Sequence, residues 1–378
     1  MKATIIIPTF NEKGNIEPLI RELESEIFPK IKNWELSILV VDDDSPDKTA
    51  DSVEEMTRKY KNLYLLRNGE KKGLGAAYIK GMTYALERLN SDVLFEMDAD
   101  GQHDASKIPQ FLKKIDEGFD LVIGTRYSGG GSIPKNWPII RKAYSIFGNL
   151  LVRTIFGRFS IHDWTGGYRA MKKEVFLKEK AEMTEFRGYT FQVSFLHKAV
   201  RDGFRVAEVP FHFSDRTLGN SKIAPKEYIV DLLKYVIKAR AREVMRSSFP
   251  KFLVVGAVGF VINAVLYEVL VRNTHLPIAL ANIVAAQASI FSNFNFNNIW
   301  TFKAQRSTSV FSYFKKIFGF YATSNIGVIL IQSGTIQLGD VLYGEQYYRI
   351  YFLIGTFFLL IWNFTMYRKI IWRKKKAH

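Results

Sequence analysis

Residues 93–103 read VLFEMDADGQH. The apolar run Val93, Leu94, Phe95 and Met97 has the character of a buried strand, yet the stretch ends on Asp98, Asp100 and Gln102. Side chains two apart on a strand point the same way, so these three polar groups share one face at its exit. Two carboxylates held that close repel one another, and a divalent cation between them would remove the repulsion. Hard oxygen ligands of this kind suit Mg2+ or Mn2+. An Asp- and Gly-rich loop that merely turns the chain is the structural alternative.

Working outward, short β-branched strands alternate with amphipathic helical patterns. Strands are expected over Thr4–Ile7, Leu36–Val41, Leu63–Arg67 and Val93–Met97, and helices near Ile16–Phe28, Thr49–Lys59 and Gly75–Leu89. This alternation predicts a parallel sheet wrapped by helices, in which ligands bind at the carboxyl ends of strands. Those ends carry Pro8, Phe10 and Glu12 after the first strand and Asp42, Asp43, Asp44 and Ser45 after the second. Carboxylates there suit ribose hydroxyls or base amino groups, while Asp47 or Ser45 serves equally as a helix cap. KKGLGAAYIKG at 71–81 is neither GxGxxG nor a P-loop, but Lys72 is placed to face a diphosphate.

Beyond about Ser248 the chain turns apolar. FLVVGAVGFVINAVLYEVLV, from Phe252, is long enough to cross a bilayer as a helix. Three further spans are expected at Pro277 to Phe294, Ile317 to Leu338 and Tyr351 to Tyr367; the first of these carries Asn282, Gln287 and Ser289, whose side must face a bundle. Basic segments (KARAREVMRSSFPK, FKAQRSTSVFSYFKK, YRKIIWRKKKAH) flank alternate ends, which predicts four spans with the catalytic half and both termini cytosolic. The domains expected are therefore 1–226, an interfacial helix at 227–248, and a four-helix membrane domain at 249–378.

The 378 residues carry a formal charge of +16 and no cysteine. Disulfides and zinc–thiolate sites are excluded. The charge points to an anionic membrane surface, a phosphorylated substrate or nucleic acid; nucleic acid is not an expected partner, because it would not explain the spans.

The ordered set IIIPTFNE, VVDDDSPDKT, KGLGAAYIKG, MDADGQH, GTRY and NWPIIRK resembles the family 2 glycosyltransferases of the GT-A (Rossmann-like) fold. More narrowly it is similar to the dolichol-phosphate mannose synthases and the related polyprenyl-phosphate glucosyltransferases. The apolar remainder, with NFNFNNIWTF at 293–302, resembles the GtrA-like membrane domains. The resemblance implies that Pro8, Phe10, Glu12, Val41 and Asp43 hold the nucleoside, and that Asp98, Asp100 and Gln102 hold metal and donor diphosphate. Phe10 stands where many relatives have Tyr, and Gly166-Gly167 replaces their Ser-Gly.

A hydroxyl acceptor would need a general base, whereas a phosphate monoester is already ionised near pH 7 and needs positioning by Arg or Lys. By the resemblance Arg126 and Arg141 grip that acceptor phosphate, and the SDRTLGNSK loop closes over the donor with Arg216 and Lys222. The stretches 137–159 and 227–246 mix large apolar with basic residues, as helices in a headgroup region do. The expected activity is inverting transfer of mannose from GDP-mannose to dolichyl or polyprenyl phosphate at the cytosolic face. UDP-glucose as donor, or a lipid-linked sugar flippase or scaffold, are the alternatives. A processive synthase is disfavoured by the lack of Gln-x-x-Arg-Trp.

Overall fold

The computed structural model describes residues 1–69, 73–180, 190–214 and 225–373. The chain divides into two compact units, Met1–Arg240 and Ala241–His378.

The first unit runs β1 (Lys2–Thr9), α1 (Lys13–Glu22), β2 (Glu35–Asp42), α2 (Thr49–Thr57), β3 (Leu63–Arg67), α3 (Leu74–Leu89), β4 (Val93–Glu96), α4 (Ile108–Asp116), β5 (Leu121–Thr125), α5 (Ile139–Phe156), β6 (Arg169–Lys172), α6 (Lys173–Glu179), α7 (Thr190–Arg201), β7 (Val206–Pro210) and most of α8 (Pro225–Arg246), whose last residues belong to the second unit. The seven strands form one sheet in the order β3-β2-β1-β4-β6-β5-β7. Central β1 is covered on both faces, so Ile5, Ile6 and Ile7 are consecutive and all buried. Helix α4 shows the complementary period: Ile108, Phe111, Leu112 and Ile115 lie on its buried face, and Asp104 caps the turn before it by accepting from the Ser106 amide.

The sheet is mixed, where the strand–helix alternation predicted a parallel one. β6 runs antiparallel between β4 and β5. Its entrance therefore lies at the edge where β4 and β5 exit, and this brings the 163–168 loop to the same edge as Asp98 and Arg126. Helix α3 lies close on the sheet because Gly81 has no side chain: a Cβ there would stand 2.6 Å from Ile6 Cγ2 and 2.8 Å from Val41 Cγ2.

The second unit contains α9 (Phe249–Asn273), α10 (Ile278–Phe296), α11 (Val310–Gly327), α12 (Gly334–Tyr343) and α13 (Tyr348–Met366). Among the described residues three helices are long and apolar enough to cross a membrane: Phe249–Asn273, Val310–Tyr343 and Ile350–Ile371. The second expected span is a 19-residue helix, α10, which docks on α9 where the Ser289 hydroxyl donates to the Gly259 carbonyl at 2.7 Å. The NFNFNNIWTF stretch is explained by packing. Phe294, Asn298 and Phe302 recur every four residues and meet Trp372, whose indole N–H donates to Asn298 Oδ1 while its ring stacks on Phe302 at 4.7 Å.

Candidate active site

The carboxyl ends of β1, β2 and β4 are adjacent, and two of their exits require left-handed backbone: Asn11 (φ 61°) after β1 and Asp44 (φ 60°) after β2. Both residue types tolerate that conformation. Asp42 accepts from Thr9 Oγ1 and from the amide and hydroxyl of Ser45, making an Asx turn. Asp47 accepts from the Thr49 and Lys13 amides, which ties the two exits together. Burial would raise the Asp47 carboxyl, but its hydrogen bonds from Thr49 and Lys13 outweigh this and hold it below the usual carboxylate range.

Of the expected nucleoside residues, Pro8, Phe10 and Glu12 are half-buried at the β1 exit. Glu12 accepts from the Asn15 side chain at 2.7 Å, and Asp43 accepts from Asn68 Nδ2 at 2.7 Å. Val41 is fully buried with its side chain toward Gly81 of α3. Any contact it makes with a nucleoside must use its backbone. Lys72, Arg216 and Lys222 lie outside the described residues.

At the β4 exit, Asp98 Oδ1 accepts from the Tyr78 hydroxyl at 3.1 Å, and Asp100 Oδ1 accepts from the Gln102 amide at 3.1 Å. Gln102 Nε2 donates to the Ser214 carbonyl at 3.3 Å, directing its amide oxygen away from that contact. Among the described residues no cluster of three or more His, Cys, Asp or Glu is arranged to hold a metal. The candidate donor set expected from the sequence is two carboxylates and one amide, a combination that would suit a hard cation whose remaining ligands came from a phosphorylated substrate, as is usual for Mg2+.

His103, which sequence reasoning passed over as the end of a motif, is buried here. Its Nδ1 accepts the Asp98 backbone N–H at 3.0 Å, and its ring stacks on Tyr168 at 4.8 Å. Burial, assisted by Arg126 and opposed by Asp100, pushes its pKa down to about 4, so the ring is neutral and able to accept. Tyr78, from the same Gly-rich stretch as Lys72, was likewise missed. Two residues before Asp98, Glu96 is wholly buried and accepts from Gln192 Nε2 at 2.8 Å; burial lifts its pKa to about 7 against the pull of Arg169.

Arg126 leaves β5 and is held by a partner 37 residues away. Its Nε and Nη2 donate to Asp163 Oδ2 and Oδ1 at 2.6 and 2.8 Å, and Nη2 also reaches Thr165 Oγ1 at 2.8 Å. Asp163 additionally accepts from the amides of Arg126, Thr165 and Gly166. Burial would raise this carboxyl; the Arg126 charge and these hydrogen bonds prevail and keep it low. Glu208 of β7 fixes the loop by accepting from the His162 and Asp163 amides at 2.6 and 3.2 Å.

Arg141 lies in the exposed first turn of α5 with its guanidinium 3.9 Å from the Trp137 ring centre. The Tyr127 and Ser145 hydroxyls hydrogen-bond to each other, linking the loop after β5 to α5. Helix α5 buries Asn149, Val152 and Phe156 and exposes Ile139 (83%), Ile140 (67%), Phe147 (66%) and Leu150. The second expected amphipathic helix, α8, likewise turns Leu232, Tyr235 and Val236 into the core and exposes Val230 and Ile237.

Residues 4–178 match the model of glycosyl transferase family 2, and residues 251–372 that of the GtrA/DPMS transmembrane domain. The chain is 33% identical to the dolichol-phosphate mannosyltransferase of Pyrococcus furiosus, covering 98% of this chain and 99% of that protein. It is 38% identical to the polyprenol monophosphomannose synthase of Mycolicibacterium smegmatis, over 65% of this chain and 92% of that one. The solved mannosyl-3-phosphoglycerate synthase of Rubrobacter xylanophilus aligns at 16% identity with a TM-score of 0.48, over 65% of this chain and 75% of the other. The chain belongs to the family 2 glycosyltransferases, with a GT-A catalytic unit followed by a GtrA/DPMS transmembrane domain.

Proposed function

We propose that this glycosyltransferase moves mannose from GDP-mannose to the phosphate of a dolichol or polyprenol at the cytosolic face of the membrane. One observation carries the lipid-phosphate acceptor: Arg141 sits in the first turn of a helix whose outer face is Ile139, Ile140, Phe147 and Leu150. A cation at the edge of an exposed apolar face suits an anionic headgroup whose chain enters the bilayer. The names of the two relatives above support the same acceptor class and mannose as the sugar. The basic flanks of the apolar helices support the cytosolic orientation.

The chemistry follows from the residues. A phosphate monoester needs no side-chain base, only orientation, and Arg126 and Arg141 provide it. Bound at Asp98, Asp100 and Gln102, Mg2+ or Mn2+ supplies Lewis-acid stabilisation of the departing diphosphate. Tyr78 and His103 keep Asp98 oriented by holding its carboxylate and its backbone N–H. The nucleoside rests at the β1 and β2 exits on Pro8, Phe10, Glu12, the Val41 backbone and Asp43. Lys72, Arg216 and Lys222 are assigned to the donor phosphates. A single displacement at the anomeric carbon inverts it.

The test is transfer by the purified full chain in detergent, with polyprenyl phosphate and Mn2+, comparing radiolabelled GDP-mannose with UDP-glucose. Lipid-linked product from GDP-mannose is expected. Product from UDP-glucose alone would overturn the sugar assignment.

A further inference from the structure

Arg141 makes no hydrogen bond or ion pair among the described residues, yet its guanidinium is stacked on an indole that is itself buried. The Trp137 ring meets Phe213 edge-on at 5.7 Å, and Phe213 in turn lies 5.3 Å from the Arg126 guanidinium. Four groups from three segments are thus linked by successive contacts, Arg141 to Trp137, Trp137 to Phe213 and Phe213 to Arg126. We propose that Trp137, braced by Phe213, is a positioning residue that fixes Arg141 relative to Arg126, so that the two guanidiniums act as one anion-binding pair. The inference rests on the acceptor reading above.

Two physical considerations carry it. An exposed arginine has large rotamer freedom, and a cation held over an aromatic face has already given up part of it before the ligand arrives. The two guanidiniums also differ in charge balance. Arg126 is matched by the buried Asp163 carboxylate, which takes its Nε and Nη2, so it contributes little net field. Arg141 supplies the net charge, and its position therefore governs how well an anion is held. Phe213 precedes Ser214, whose carbonyl accepts from Gln102, so the same segment joins these contacts to the β4 exit.

The test is steady-state transfer by the full chain, with the KM for a short-chain prenyl phosphate and the KM for the donor measured separately. Trp137→Leu keeps apolar bulk and removes the ring face; it is expected to raise the acceptor KM about five- to thirty-fold and leave the donor KM unchanged. Trp137→Phe restores most of the affinity. Trp137→Leu combined with Arg141→Ala is no worse than Arg141→Ala alone, because the indole acts through the guanidinium. Full additivity, or an equal rise in both KM values, would overturn the proposal. If Arg141→Ala itself leaves the acceptor KM unchanged, the acceptor reading fails and this inference with it. If Arg141→Ala raises it and Trp137→Leu does not, the positioning role alone is refuted. Should Trp137→Leu not fold, Phe213→Leu serves instead: a rise in acceptor KM alone is expected, and wild-type kinetics would refute the brace.

Discussion

Removing Asp163 should damage the protein in a way that removing its partner as well repairs. The Asp163 carboxylate is wholly buried and the Arg126 side chain is 10% exposed, so Asp163→Ala leaves a guanidinium with little access to water. Breaking a buried pair from one side costs about 3–5 kcal/mol. The Thr165 and Gly166 amides also lose their acceptor, an effect contained within the same figure. For a unit of this size that corresponds to a fall in melting temperature of roughly 6–20 °C. Asp163→Ala with Arg126→Met removes the uncompensated charge and retains only the orphaned amides, a loss of about 1–3 kcal/mol. The assay is thermal unfolding of the detergent-purified chain followed by tryptophan fluorescence. The double variant is expected to melt above Asp163→Ala. A double variant melting at or below the single one would refute the ion-pair account of this loop.

Other outcomes follow from the same geometry. Asp163 has its pKa lowered on folding, so its stabilisation is present above the ordinary carboxyl value near 3.9 and is lost as pH falls through the folded value. A melting series below pH 4 should show a shallower acid loss for Asp163→Asn than for the native chain. Asp100→Ala should abolish transfer and remove metal-dependent donor binding, measured by calorimetry with and without Mn2+; full activity would end the metal assignment. Gly81→Ala forces a Cβ into Ile6 and Val41 and should cost about 1–3 kcal/mol, read as a lower melting temperature. Phe147→Asp, on the exposed face of α5, should reduce transfer to long-chain acceptor in liposomes several-fold while sparing a soluble short-chain one; equal loss on both would argue against bilayer docking of α5.

The parallel part of the sheet was legible because its strands are short, β-branched runs separated by helical patterns, and β1 to β4 lie where the alternation places them. β6 was not. RAMK is four residues long and has no readable period, and its antiparallel insertion depends on pairing with β4 and β5 rather than on local preference. The position of Asp98, Asp100 and Gln102 just beyond β4 could be read from the sequence, but the strand ends at Glu96 and the three residues lie in the turn that follows, with Gly101 at φ 74°, so the period of two does not order their side chains. The partners that hold Asp98 could not be read: Tyr78 and His103 are ordinary aromatic residues until the fold aims them at it. Arg126 was found as a motif cation, but its charge balance depends on Asp163, and a partner 37 residues away leaves no periodic trace. The stretches 137–159 and 227–246 both show amphipathic character, and each packs apolar residues on the core, Val152 and Phe156 from the first and Leu232, Tyr235 and Val236 from the second. Composition cannot distinguish a face that meets lipid from one that meets protein.

The central claim is that the acceptor's own phosphate takes the sugar. It is tested most directly by offering the purified chain GDP-mannose with either polyprenyl phosphate or the matching neutral polyprenol, and identifying products by mass spectrometry. The account predicts polyprenyl-phosphate-linked hexose from the first and no product from the second. Glycosylated polyprenol formed equally well would contradict it.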